Sequence, residues 1–82
     1  MPVVLRVMGY KFWFYEADLD EPPHVHVGKA GKEAKYWLNP VRTARTGRFR
    51  SADLSEIERI IYENRDFLMD AWKQEQSKRA NS

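Results

Sequence analysis

Four segments in the first half of the chain have strand patterns: residues 3–8 are β-branched and apolar, as in a buried strand, and side chains alternate by face in residues 11–16, 24–28 and 33–38. Alternation with a period of two is typical of strands that bury one face. Short turns follow the first and third segments, and residues 17–23 form a longer loop that ends in two prolines. The pattern predicts an antiparallel sheet of about four strands in meander order.

The second half of the chain has a different period. Between Ser51 and Gln74 the apolar residues recur three or four positions apart, at Leu54, Ile57, Ile60, Ile61, Phe67, Leu68, Ala71 and Trp72. This spacing predicts a long C-terminal helix with one apolar stripe, and Asn64 is the expected position of any break into two helices. Residues 41–49, which are basic and contain a glycine, are predicted to be a loop with at most one helical turn.

These elements predict an α+β fold in which the long helix packs on one face of the sheet. Residues 1–77 form a single domain in this interpretation, and the polar residues 78–82 form a frayed tail. The 82 residues include no cysteine, which excludes a disulfide or a thiolate metal site. No signal peptide and no apolar run of about 20 residues is present, so we expect a cytoplasmic protein with no membrane partner. A homodimer is compatible with so short a chain.

The alternation also sorts the strand side chains by face. We expect the helix to cover Phe12, Phe14, Val25, Val27, Tyr36 and Leu38. The opposite, uncovered face then presents Trp13, Tyr15, His24, His26, Lys35 and Trp37. Aromatic rings interleaved with cations are typical of surfaces that bind single-stranded nucleic acid, although packing or a subunit interface also uses such rings.

Positive charge is concentrated in one part of the chain. Between Lys29 and Arg50 there are seven basic residues and one acidic residue, Glu33, although the net charge of the protein is only +2. Four of these residues, Arg42, Arg45, Arg48 and Arg50, are candidates for binding RNA or an acidic partner protein. Alternatively, these basic residues form an ordinary solvent-exposed polar surface with no binding role.

The two histidines of the chain, His24 and His26, lie one residue apart directly after Pro22-Pro23. On a strand they point the same way, and three roles fit them. They are a candidate acid–base pair for metal-independent RNA cleavage, with Lys35 holding the anionic phosphate. They are also candidate ligands of one divalent metal ion, completed by Asp18, Asp20 or Glu21. In the third role they only bond to nearby carboxylates or backbone and fix the preceding loop.

The motifs Glu-Pro-Pro-His-Val-His-Val at residues 21–27 and Ala-Lys-Tyr-Trp-Leu-Asn-Pro at residues 34–40 resemble a family of short bacterial proteins of unknown function. A helix with Leu-x-x-Ile at residues 54–57 and a late Ala-Trp at residues 71–72 extends the resemblance over most of the chain. The resemblance includes the DhiT-like group, which is associated with bacterial toxin–antitoxin pairs. It implies a toxin role and a small acidic antitoxin-like partner, but no catalytic residue.

Two functional hypotheses follow. In the first, the protein is a toxin that acts on RNA or translation through the histidines, the tryptophans and Lys35. In the second, it is a non-catalytic module that binds nucleic acid or an acidic protein through the basic segment. A metal ion at His24 and His26 is compatible with either hypothesis.

Overall fold

The structure is a computed structural model, and it describes residues 3–80. Five strands come first: β1 (Val3–Val7), β2 (Tyr10–Trp13), β3 (His24–Lys29), β4 (Lys32–Leu38) and β5 (Val41–Arg45). A 3-10 helix (Glu16–Asp20) lies between β2 and β3. Two helices follow the sheet, α1 (Ser51–Glu63) and α2 (Arg65–Ala80). The α+β fold predicted from the alternation is confirmed.

The strands form one antiparallel sheet in the order β1-β2-β3-β4-β5, so the meander is also confirmed. The sheet has five strands rather than four, because the segment predicted to be a loop contains β5. In β5, Val41 and Thr43 pair with Leu38 and Tyr36 and continue their alternation. The strand was not predicted because the basic residues between and after Val41 and Thr43 favoured a loop.

One face of the sheet is covered by the helices, and it is the predicted face. Every apolar residue expected there is fully buried: Phe12, Phe14, Val25, Val27, Tyr36 and Leu38. Ile57, Ile60 and Ile61 from α1 pack on it with Leu68 and Trp72 from α2. Two hydrogen bonds fasten the layers, from the Tyr36 hydroxyl to the Leu54 carbonyl (3.2 Å) and from Arg65 Nε to the Leu38 carbonyl (3.0 Å). We refer to this side as the covered face.

The helical region consists of two helices rather than one, and they are divided at the position that the sequence indicated for any break, Asn64. Its side-chain amide donates to the Ile60 carbonyl (2.8 Å) and closes α1. The next helix then continues to Ala80, so residues 78–80 of the predicted frayed tail are helical, while residues 81–82 lie outside the described residues. Gln76 donates to the Leu19 carbonyl (2.9 Å) and Arg79 pairs with Asp20 (3.1 Å). These contacts tie the end of α2 to the 3-10 helix.

Within residues 3–80, neither helix combines the length and the apolar character that crossing a bilayer requires.

Candidate functional site

The strand register places a second set of residues on the side of the sheet opposite the covered face. We call this side the outer face, and its residues include Arg6, Lys11, Trp13, His24, His26, Gly28, Glu33, Lys35, Trp37, Arg42 and Arg45. One row across the sheet runs from Trp13 through His26 and Lys35 to Arg45. The next row contains His24, Trp37 and Arg42. The register therefore brings together most of the residues that the sequence singled out.

The two histidines share this face, as predicted, but they are not open to solvent. His24 is fully buried and His26 is 4% exposed. The expectation of an uncovered imidazole pair is therefore wrong. The reason is the 3-10 helix, which was predicted to be an irregular loop: it carries Asp18 to the two rings, and α2 holds it in place.

Both imidazoles converge on one carboxylate oxygen. His24 Nε2 lies 3.0 Å from Asp18 Oδ2, and His26 Nε2 lies 2.9 Å from the same atom. The opposite ring nitrogen of His24, Nδ1, lies 3.0 Å from the carbonyl oxygen of Pro22. Because a carbonyl oxygen only accepts hydrogen bonds, this Nδ1 carries a proton and donates it. The Pro22-Pro23 turn thus fixes the orientation of the His24 ring.

His26 has a second acidic neighbour. Its Nδ1 lies 3.2 Å from Glu33 Oε2, although the angle falls short of a hydrogen bond. Glu33 is itself held by the Tyr15 hydroxyl, which donates to both carboxylate oxygens at 3.2 and 3.3 Å, and by Arg45 at 3.7 Å. The Tyr15 ring packs edge-on against the His26 ring, with centroids 4.5 Å apart. Tyr15 therefore lies beside the histidine cluster, as the sequence predicted, although it is beyond the end of β2.

The Asp18 carboxyl is the electrostatic centre of this cluster. Burial raises its pKa, but hydrogen bonds and charge from His24 and His26 lower it by more, so the pKa lies below its ordinary value. At neutral pH Asp18 is ionised and only accepts hydrogen bonds. Its side chain is 21% exposed, so the cluster meets solvent at this residue. Chemically, the group offers two imidazole nitrogens and a carboxylate oxygen, which is a ligand set suited to a transition metal.

Aromatic rings hold the imidazoles from several sides. Trp13 stacks on His26 with centroids 6.2 Å apart, while Trp37 and Trp72 contact His24 at 5.5 and 5.1 Å. Trp13 and Trp37 keep part of their surface exposed, whereas Trp72 is buried. The candidate stacking surfaces predicted from the sequence are therefore accessible in part.

Cations lie beside both exposed tryptophans. Lys35 Nζ lies 4.6 Å from the Trp37 ring centroid and pairs with Glu21 Oε1 at 3.1 Å. Arg42 pairs across the strands with Trp37, and Lys11 precedes Trp13 by two positions on the same face. Within residues 3–80, no carboxylate lies within ion-pair distance of Arg42, Lys11 or Arg6. The outer face thus presents cations that are not neutralised by a neighbour.

Two of the predicted arginines lie elsewhere. Arg48 and Arg50 flank Phe49 in the turn that leads into α1, and Phe49 packs against Tyr10 on the covered face. The positive charge of the segment from Lys29 to Arg50 is therefore divided. Arg42 and Arg45 belong to the outer face, whereas Arg48 and Arg50 lie outside the sheet, in the turn before α1.

Sequence reasoning named Asp18 only as one of three acidic candidates, and it gave Glu33 no role. The available signal for Asp18 was its position six and eight residues before the histidines, in a loop that had to return to β3. For Glu33 the signal was its spacing from Lys35 and Trp37: residues at alternate positions of the fourth strand lie on the same face.

The fold and the cluster define a small α+β domain in which a five-stranded meander carries a buried His-His-Asp group on its outer face. The chain belongs to the family of the domain of unknown function DUF4160, whose family model matches residues 9–73. No curated protein and no solved structure matches the chain.

Proposed function

We propose that the protein binds single-stranded RNA through the outer face of its sheet. The observation that carries this proposal is the arrangement of unpaired cations beside partly exposed tryptophans, Lys11 beside Trp13 and Arg42 beside Trp37. RNA bases stack on aromatic rings, at about 1–3 kcal/mol per base, while the phosphates bind neighbouring cations.

The shape of the face supports the same proposal. Each tryptophan lines a shallow, open pocket of its own. The Trp13 pocket has a volume of about 350 Å³ and is also lined by Lys11, Lys29 and Lys32. The Trp37 pocket has a volume of about 320 Å³ and is also lined by Pro22, Pro40 and Arg42. A ring and a cation in each pocket suit one base with its phosphate.

Binding, rather than cleavage, is the activity that this geometry supports best. The Nε2 atoms of His24 and His26 both face Asp18, and both rings are buried. General acid–base catalysis needs the imidazole within hydrogen-bond reach of the reacting group. The predicted acid–base pair with Lys35 would therefore work only after the 3-10 helix moves away from the rings.

We further propose that RNA binding is how the protein acts as the toxin of a bacterial toxin–antitoxin pair. The support for this role is the sequence resemblance carried by residues 21–27 and 34–40. A small acidic antitoxin-like protein would then neutralise the same cations.

The test is a titration of labelled single-stranded RNA followed by fluorescence anisotropy at several salt concentrations. We expect the double variant Lys11→Gln, Arg42→Gln to bind about tenfold or more weakly and to show a shallower dependence of affinity on salt. The matched control is Arg48→Gln, Arg50→Gln, which removes the same charge from the turn before α1 and is expected to bind like the wild type. Trp37→Ala is expected to weaken binding without changing the salt dependence.

Equal losses in the two double variants would show that net charge, not the outer face, governs binding, and would overturn the proposal. A folded wild type that does not bind RNA at low salt would also overturn it and favour an acidic protein as the partner. Electrophoresis of the same RNA after incubation reports any cleavage. Induced expression of the two double variants in bacteria tests the toxin role: only the outer-face variant should relieve growth arrest.

A further inference from the structure

We propose that Asp18, His24 and His26 form a binding site for one divalent transition-metal ion. The site goes beyond RNA binding, because it lies beneath the exposed tryptophans and uses none of the unpaired cations. Its three donor atoms, the two Nε2 atoms and Asp18 Oδ2, all lie within 4.8 Å of one another. The inference depends on how each histidine is held at its other nitrogen.

The His24 ring is fixed in the form that binds metals through Nε2. Its Nδ1–H donates to the Pro22 carbonyl at 3.0 Å, so in the neutral ring Nε2 carries a lone pair. Metal-binding histidines almost always donate their second ring N–H to a carbonyl or a carboxylate, which sets the tautomer and the ring orientation. The two prolines before β3 therefore serve a chemical purpose, because they present that carbonyl.

The His26 ring has the corresponding arrangement with a carboxylate. Its buried Nδ1 lies 3.2 Å from Glu33 Oε2, and Glu33 is held in turn by the Tyr15 hydroxyl. Among the described residues, this Nδ1 is one of two buried side-chain nitrogens without a well-aligned hydrogen bond. A His26 ring that binds a metal ion through Nε2 carries its proton on Nδ1, the nitrogen that faces the Glu33 carboxylate.

The three donor atoms converge on one small space. His24 Nε2 and His26 Nε2 lie 3.0 and 2.9 Å from the same Asp18 oxygen, Oδ2, and the centroids of the two rings lie 5.3 Å apart. One divalent ion between these atoms would accept a lone pair from each of them and offset the charge of the carboxylate in a largely buried site.

The spacing of the donor atoms fits such an ion. Nitrogen and oxygen ligands lie about 2.0–2.2 Å from zinc, so adjacent ligands are about 2.8–3.1 Å apart in octahedral geometry and about 3.3–3.6 Å apart in tetrahedral geometry. The nitrogen–oxygen separations of 2.9 and 3.0 Å fit the octahedral spacing. Two imidazoles and a carboxylate favour Zn²⁺, Co²⁺, Ni²⁺ or Fe²⁺ over Mg²⁺ and Ca²⁺, which prefer oxygen ligands. Three protein ligands also leave at least one position for water or a substrate.

The test uses the untagged 82-residue chain, treated with a chelator and then titrated with Co²⁺, whose visible absorption reports its ligands. We expect one Co²⁺ per chain, displacement by Zn²⁺ and a melting temperature that rises with Zn²⁺ but not with Mg²⁺. His26→Gln and Asp18→Asn are expected to lower the affinity by more than about 100-fold, because even changes at residues that only contact a ligand cost about 10–100-fold.

The matched control is Asp20→Asn, which removes the same charge from the same 3-10 helix at a side chain that is 80% exposed and pairs with Arg79. It should bind Co²⁺ like the wild type. Glu33→Gln should bind about tenfold more weakly, since Glu33 only orients His26. Circular dichroism confirms that each variant is folded, and Glu33→Gln keeps the test decisive if Asp18→Asn does not fold.

No Co²⁺ uptake by the folded wild type at millimolar concentration would overturn the proposal. Equal losses in Asp20→Asn and Asp18→Asn would overturn it as well, because they would indicate binding by surface charge. The titration contains no RNA, so its failure and the failure of RNA binding are separate results.

Discussion

The two faces of the sheet are made of the same strands, yet they are stabilised in different ways. On the covered face, apolar side chains such as Phe12, Val25 and Tyr36 are fully buried against helices. On the outer face, the buried residues are His24 and His26, and their contacts are a carboxylate, a carbonyl and aromatic rings. Burial on one side follows from hydrophobicity, and on the other side from polar partners.

The comparison shows where the chain accepts a cost in stability. A buried polar group needs a partner, and a partly satisfied cluster is less stable than an apolar one of the same size. A chain of 82 residues has a small core, so two buried imidazoles in place of apolar residues lower its free energy of unfolding appreciably. Stability alone does not account for their presence. This asymmetry is the reason to seek function on the outer face.

The largest effect is expected on the covered face. Phe14 is fully buried and packs edge-on against Trp72, with ring centroids 5.2 Å apart. Phe14→Ala should lower the free energy of unfolding by about 3–5 kcal/mol, because it removes apolar contacts and leaves a cavity. That is a large share of the total stability of so small a domain. Urea unfolding followed by circular dichroism measures it.

The control for this change is Phe67→Ala on α2, where the ring is 52% exposed. It should cost less than about 1 kcal/mol. If the two alanine variants lost similar stability, the covered face would not be the main source of folding energy, and the distinction between the faces would be wrong.

A smaller effect concerns a polar atom on the covered face. Burial, with the nearby Glu56 and Asp53, raises the pKa of Tyr10 to about 12. The pKa of an unfolded tyrosine is about 10, so the neutral form is favoured by folding. This contribution to stability is complete below about pH 10 and is lost as the pH rises towards 12. The wild type should therefore be destabilised in this range.

Tyr10→Phe tests this prediction through unfolding curves measured between pH 9 and pH 12. The variant should lose less stability over the range than the wild type does. Burial also raises the pKa of Tyr36, so the Tyr10→Phe variant should still lose some stability at high pH. Tyr62→Phe, at a side chain that is 57% exposed, is the control and should keep the slope of the wild type. An unchanged slope in Tyr10→Phe would contradict the assignment.

The covered face was predictable because it depends on one property, hydrophobicity, at one period. Apolar residues such as Val25 and Leu38 predict which face of the sheet is buried. Ile57 and Leu68 predict the helical stripe that packs on that face. The fifth strand was missed because Val41 and Thr43 are separated by Arg42, and edge strands carry such charges on the exposed side. The position of the break at Asn64 was predicted, because a polar tripeptide interrupts the stripe, but the division into two helices was not.

The outer face was predictable only as a set of residues on one side. Alternation along the strands placed His24, His26 and Trp37 on one face, because the face of a strand residue does not depend on the conformation of the loops. It did not predict that Asp18 meets both imidazoles, because that depends on the path of the chain between β2 and β3. The 3-10 helix has one buried apolar residue, Leu19, and its position depends on contacts with α2 that are distant in the sequence.

The smallest effect on stability is expected from adding a methyl group to the outer face. A β-carbon at Gly28 would lie 2.7 Å from Trp13 Cη2, too close for the ring to keep its place. Because the contact is with the far end of a side chain, the ring can move, and the change should alter the free energy of unfolding by less than about 1 kcal/mol. The Trp13 indole N–H resonance should shift, and RNA affinity should fall with it.

The counterpart on the covered face is Ala34→Val, at a fully buried residue that pairs with Val27. Overpacking there should cost about 1–3 kcal/mol, because helices and strands enclose the site. Comparing the stability lost in Gly28→Ala and in Ala34→Val tests whether side chains on the outer face can rearrange while those on the covered face cannot. A loss in Gly28→Ala as large as that in Ala34→Val would mean that Trp13 is locked in place, and a locked ring has no free side on which a base can stack.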